Sequence, residues 1–239
     1  MEVLPTDPRL LTETVPLCLR KLPQWVCWKY VDRDGKPTKV PVSPRFGYNA
    51  SSSNRATWAT FDEALDSFER AGDYAGVGFV FSTEDPFCGI DLDDCLDDHG
   101  DFVWGRQIVD RFRCYTEVSP SGRGVKLYFR GEKPDFARAE ARDFGPTGDG
   151  KLEVYDRGRF FAVTGRALPD VPADATERQA ELDELCTELW PEDPPVASES
   201  LPVVPGRLER CLASILALKV IDHNDGSLRL YTACCRCGT

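Results

Sequence analysis

From residue 24 to residue 42 apolar and polar side chains alternate on both sides of Asp34-Gly35 (QWVCWKYVDRDGKPTKVPV). That is the period-2 signature of two strands joined by a tight turn. Beyond it the period changes. Trp58, Phe61, Ala64, Leu65 and Phe68 share one face at helical spacing, and with Thr57 or Thr60 as cap they predict a helix of about four turns over 57–71. Residues 76–81 (GVGFVF) and 88–92 (CGIDL) then read as a buried hairpin around the turn-prone STEDP. Residues 102–112 read as a second short helix. Strands are expected at 115–118 and 124–130 around Ser119-Pro120-Ser121-Gly122-Arg123, and a last pair at 152–155 and 159–164 around Asp156-Arg157-Gly158. Strands outnumber helices, which predicts an α+β domain ending near residue 170.

After that point the pattern loosens. Residues 175–190 form an acidic amphipathic helix, 191–206 (PEDPPVASESLPVVPG) read as a semi-rigid proline-rich linker, and 207–220 begin another helix. The chain therefore reads as a piece of something longer. With 239 residues, 41% of them hydrophobic, it can bury a sizeable core. It has no apolar run of membrane-spanning length and no basic-then-apolar leader, so neither a membrane span nor a signal peptide is expected. A cytoplasmic location is the expectation, with the ten scattered cysteines as reduced thiols.

The net charge of -11 argues, taken as an average, against a nucleic-acid partner. The charge is blocked, however. Residues 61–101 hold one cation against 13 acids and 169–200 one against 10, whereas 1–60 and 102–168 each hold four more cations than acids. A phosphate-bearing partner is therefore compatible with the basic segments.

Within one acidic block lies Gly89-Ile90-Asp91-Leu92-Asp93-Asp94. In a strand, Asp91 and Asp93 project to one face and Ile90 and Leu92 to the other. Two such carboxylates repel each other, and a divalent metal is the usual remedy. An acidic strand end at the surface is the competing reading. A calcium loop fails, because Cys95 and Leu96 fall where a ligand and the turn glycine belong. A second feature, Ser119-Pro120-Ser121-Gly122-Arg123-Gly124-Val125-Lys126, offers hydroxyls, flexible backbone amides and cations suited to a triphosphate, though an ordinary hairpin loop would look the same. A third is Glu153 in the apolar strand LEVY, which gains weight only if its strand adjoins that of Asp91. GPTGDGK (145–151) lacks the spacing and the hydroxyl of a phosphate loop. Only His99 and His223 are present, which disfavours histidine-based hydrolysis, and Cys211, His223, Cys234, Cys235 and Cys237 are a weakly spaced zinc candidate.

Taken in order, GIDLDD, SPSGRGVK and LEVYDRGRFFAVTG, preceded by the WVCWKYVDRDGKPTKVPV hairpin, resemble the primase-polymerase domain of the archaeo-eukaryotic primase superfamily. The likeness is to the form carried by phages, plasmids and other mobile elements, and it spans roughly residues 20–170. It implies an RRM-like mixed sheet with flanking helices over 1–170, then the acidic helix and linker over 171–206 and the start of a helical accessory domain over 207–239. It implies DNA primase and DNA polymerase activity: transfer of nucleotides from dNTPs or NTPs onto a primer on a single-stranded DNA template. A helicase region further along the full-length protein would be a partner. Asp91, Asp93 and Glu153 would hold Mg2+ or Mn2+. Ser119, Ser121, Arg123 and Lys126 would meet the nucleotide's phosphates, joined by Arg159 and by Phe160 or Phe161 at the sugar. Lys36, Lys39 and Arg157 are DNA-contact candidates. Lys126 departs from the pattern, since many relatives carry histidine there. That departure keeps open a non-polymerising replication-initiator or DNA-binding module, and the carboxylates alone would also suit a metal-dependent nuclease.

Overall fold

In a computed structural model of the chain, residues 4–191 are described. The linker from residue 192, the helix expected at 207–220 and the cysteine cluster lie outside the described residues.

Strands β1 (Trp25–Arg33) and β2 (Lys36–Val42) form the expected antiparallel hairpin. Asp34 and Gly35 both take positive φ, 54° and 76°, which suits the right-handed twist of the strands they join. Two short helices precede the hairpin, α1 (Pro8–Thr14) and α2 (Leu17–Arg20), too brief to show a period in the sequence. Helix α3 (Phe61–Ala71) starts from the later of the two expected caps. Thr60 caps it, with Glu63 reaching back to the Thr60 amide, while 55–57 form a separate 3-10 turn.

Strand β3 (Gly76–Val80) pairs with β1, but β4 (Phe87–Asp93) does not pair with β3, so the expected hairpin is corrected. The chain between them turns from one sheet into another. Asp85 pins that corner, accepting from the Ser82 and Phe87 amides and from Gln24 Nε2. The last expected pair is corrected in the same way: β8 (Gly150–Tyr155) joins β4, and β9 (Phe160–Val163) joins β3. With β5 (Tyr115–Val118), β6 (Val125–Arg130) and β7 (Glu140–Phe144), the sheets run β2-β1-β3-β9 and β5-β6-β4-β8-β7. The α+β class holds. In place of one mixed sheet there are two, and every named ladder is antiparallel. The charged strand β7 (EARDF) has no apolar alternation by which to expect it.

Aromatic residues fill the space between the sheets: Phe79, Phe81, Phe87, Tyr115, Tyr128 and Phe161 are all buried there, along with Phe61 from α3. Gly89 is required at this contact, because a Cβ would lie 2.5 Å from both the Phe81 and Phe161 rings. On the opposite face of the second sheet, Ile90, Leu92, Leu127, Leu152 and Val154 pack against Ile108, Val109 and Phe112 of α4 (Arg106–Phe112). Helix α4 begins only at Arg106 because Gly105 is left-handed, φ 81°. Leu182, Leu185 and Cys186 of α5 (Gln179–Leu189) join the same cluster, so the compact unit runs beyond residue 170 to Pro191. None of the helices among the described residues is long and apolar enough to cross a membrane.

Candidate active site

Strand register assembles the charged groups. Asp91 lies opposite Lys126 on β6 and opposite Glu153 on β8, and Lys126 in turn lies opposite Glu117 on β5. Because alternate residues share a face, Asp93 projects on the same side as Asp91, and Lys151 on the same side as Glu153. Asp91, Asp93 and Glu153 each offer an oxygen within 4.8 Å of the others. Asp91 and Glu153 are only 7% and 4% exposed.

Buried anions this close require cations, and the chain supplies them. Lys126 Nζ is paired with Asp91 Oδ2 and lies 4.5 Å from the Phe161 ring centre. Lys151 Nζ sits 3.3 Å from Asp93 Oδ2 and 3.2 Å from Glu153 Oε1. Tyr155 donates its hydroxyl to Glu153 Oε1 at 3.1 Å, and Arg159 Nη2 stands 3.6 Å from Oε2. Burial pushes Asp91 above the usual carboxylate range and its acidic neighbours add to the effect, while Lys126 opposes it. One atom remains unsatisfied: buried Asp91 Oδ1 has no hydrogen-bond partner among the described residues. Three hard oxygen donors, one of them without a partner, fit a divalent cation such as Mg2+ or Mn2+.

The cluster opens into a cavity of about 690 Å3. Its walls come from both sheets: Tyr30 on β1, Pro37, Thr38, Lys39 and Pro41 on β2, Phe160, Phe161 and Ala162 on β9, and the carboxylates with Lys126 and Lys151 on the second sheet.

No family model matches the chain. Over 153 residues it is 39% identical to the DNA primase-polymerase of Nitratiruptor phage NrS-1, a match covering 63% of this chain and 20% of the relative. That match supports a primase-polymerase domain of the phage type. It spans about a fifth of that relative's length.

Within the described residues some expected site residues converge and others do not. Ser121, Lys126, Arg159 and Phe160 line the cavity beside the carboxylates. Ser119 is buried behind Ser121, its hydroxyl 2.9 Å from that of Ser121. Gly124 lets this loop lie against the end of β4, where a Cβ would meet Leu92 O at 2.5 Å. Arg123 turns outward, its Nε 2.8 Å from Asp94 Oδ1 and its Nη1 3.7 Å from Asp98. Lys126 stands on a carboxylate in the middle of the sheet and not at the loop's mouth. Phe161 belongs to the core between the sheets. Arg157 pairs with Asp156 and faces a different pocket with Ser82, Asp85 and Gln179. Lys36 is exposed near the hairpin turn.

Lys39 does reach the cavity and has no ion-pair partner among the described residues. Burial, reinforced by the nearby Lys126 charge, lowers its ammonium to about 8. Among the cavity residues that escaped the sequence reading, Lys151 and Tyr30 lie closest to its chemistry. Lys151 sits two positions before Glu153 on the same strand face, a spacing that could have been used. Tyr30, whose hydroxyl is buried without a partner among the described residues, gave no signal beyond its place opposite Lys39 in the hairpin.

Proposed function

We propose that this domain is a template-directed nucleotidyltransferase, transferring nucleotides from dNTPs or NTPs onto a primer 3′-hydroxyl on single-stranded DNA. The observation that carries this reading is the Asp91, Asp93 and Glu153 cluster, with Asp91 Oδ1 unpartnered at the wall of a cavity large enough for a nucleotide. The relative's activity supports it. The three carboxylates would hold Mg2+ or Mn2+. A pair of bound cations supplies charge neutralisation at the reacting phosphate and at the attacking and leaving oxygens.

The chain's own residues then divide the remaining work. Lys39 and Arg159 present cations to the triphosphate, and Ser121 presents a hydroxyl. Phe160, half-buried in the cavity wall, offers an apolar surface to the sugar or base. Lys126 and Lys151 hold the carboxylates in position and offset their charge at close spacing. A helicase region elsewhere in the full-length protein would supply the unwound template.

Primer extension on a single-stranded template with Mg2+ or Mn2+ tests the reading. Incorporation is expected, and Asp91→Asn or Asp93→Asn should abolish it; full activity in both variants would sink the site assignment. Lys126 favours a second reading, because its ammonium already occupies one oxygen of Asp91. In that reading the domain binds DNA without polymerising, and the wild-type chain would shift a labelled oligonucleotide yet add nothing to it under any divalent metal.

A further inference from the structure

Resting on the nucleic-acid reading above, we infer that the stacked rings of Phe46 and Tyr48 form a second contact surface, a platform on which bases of the single-stranded template lie. Phe46 is 59% exposed and Tyr48 54%, yet the two rings are held parallel, 2° apart in tilt with centroids 5.4 Å apart. Burial does not account for their position, since neither belongs to a core cluster.

The loop that carries them is firmly built. Arg45 Nε and Nη2 bind Glu63 Oε1 and Oε2 of α3 at 3.0 and 2.7 Å. Ser43 N donates to Tyr48 O at 2.8 Å, Gly47 N to Ser43 O at 2.9 Å, and Ser67 Oγ of α3 to Pro44 O at 3.1 Å. Gly47 takes φ 73°, which places the two aromatic residues on either side of a sharp turn. A third ring and a second cation lie close by: Tyr74 OH comes within 3.9 Å of the Cβ position at Gly47, and Lys29 Nζ is 5.9 Å from the Tyr74 ring centre.

The platform is continuous with the catalytic cavity. Two residues after Tyr48 the chain enters the cavity wall at Ala50, Ser51 and Ser52, and Ser52 Oγ bonds Gly158 O at 2.8 Å, bracing that wall against the β8–β9 turn. The cavity itself crosses the first sheet from β9 beside the carboxylates to β2, whose end leads into this loop. A strand whose terminal base pairs at the carboxylates would thus leave over the β2 edge, where the aromatic rings offer stacking, with Arg45 and Lys29, ion-paired to Glu63 and Asp73, at the margin. That pairing of rings with cations is how sequence-tolerant single-strand binders hold their ligand.

The experiment is fluorescence anisotropy of the full chain with two labelled probes: a mixed-sequence single-stranded 20-mer, and a 20-mer of abasic residues that keeps the phosphates and removes the bases. The wild type should prefer the first. The Phe46→Ala/Tyr48→Ala double variant should weaken 20-mer binding by about tenfold or more, the loss of at least one stacked base, and should bind both probes alike. Phe46→Tyr/Tyr48→Phe should retain wild-type binding, and thermal unfolding should be the same in all three proteins. Unchanged 20-mer binding in the double alanine variant would overturn the proposal. So would a change in oligomeric state without a change in oligonucleotide affinity, which would give the rings to a second copy of the chain. Nucleotide incorporation is scored separately, so loss of the catalytic reading and loss of the platform are distinct results.

Discussion

Glu117 and Asp91 are both buried carboxylates, one strand to either side of Lys126 on the same face of the same sheet, and they differ in what else reaches them. Glu117 is saturated. It accepts from Tyr115 OH at 2.9 Å, Tyr128 OH at 3.2 Å, Thr164 N at 3.1 Å and Gly165 N at 2.9 Å, which ties β5 and β6 to the end of β9. Asp91 has Lys126 on one oxygen, no partner on the other among the described residues, and two more carboxylates beside it at a cavity wall. A buried acid whose lone pairs are all used is part of the architecture. One left open is available to a ligand from outside the chain.

The sharpest way to break this contrast is to neutralise each acid in turn. Asp91→Asn should lower nucleotide incorporation about a thousandfold or more, since the missing ligand removes several kcal/mol of transition-state stabilisation. Asp93→Asn, on a half-exposed side chain, should do the same with stability within about 1 kcal/mol of wild type, so unfolding would not explain the loss. Glu117→Gln should do the opposite, leaving incorporation per folded molecule within about twofold. It turns an amide NH2 toward a backbone N–H and should cost about 1–3 kcal/mol in denaturant unfolding. If Glu117→Gln abolished incorporation in a folded protein, the division between the two acids would fail. Mn2+ at about a hundred times its dissociation constant should stabilise the wild type by about 2.7 kcal/mol. That gain should persist in Glu117→Gln and vanish in Asp91→Asn.

Proton linkage sharpens the same comparison. Burial raises Glu117 to about 7 against an ordinary value of 4.5, outweighing its four donors. A raised carboxyl means that the folded chain holds the proton more tightly than the unfolded chain. This group's contribution to stability is therefore greatest below about 4.5 and falls as pH rises toward about 7. The difference between the wild-type and Glu117→Gln unfolding curves should decline across that window and level off above it. A flat difference would show that Glu117 stays ionised throughout.

How much of this was legible depended on whether the deciding neighbour was local. Asp91 and Asp93 could be read as one face from their spacing, and the β1–β2 hairpin from Asp34-Gly35. The partners of β3, β4, β8 and β9 could not. These strands are largely buried on both faces, so their pattern does not say which sheet each joins, and the short turns between them suggested hairpins where the chain instead changes sheet. Glu153 was a candidate that only strand order could place beside Asp91. The surroundings of Arg123 were hidden for a related reason: Asp94, 29 positions earlier, sits at the same sheet end and pairs with it. Glu117 in YTEV looks like an outward strand residue, because the amides that satisfy it lie 47 and 48 positions away.

Arg123 and Lys39 make the smallest test, and it returns to the rule drawn from Glu117 and Asp91. Arg123 is a cation already engaged by Asp94 and Asp98, whereas Lys39 lines the cavity with no ionic partner among the described residues. Lys39→Met should therefore raise KM for the incoming nucleotide about tenfold, the worth of a hydrogen bond to a charged phosphate, with little change in kcat. Arg123→Met should change it less than about twofold. The pH profile provides an internal check. Lys39 is lowered to about 8, so the wild-type KM should climb as pH passes that value and the ammonium is lost, while the Lys39→Met value should not follow it. A reversed pair, with Arg123 controlling KM and Lys39 silent, would move the triphosphate to the Ser119–Gly124 loop and would require Arg123 to leave Asp94 when nucleotide binds.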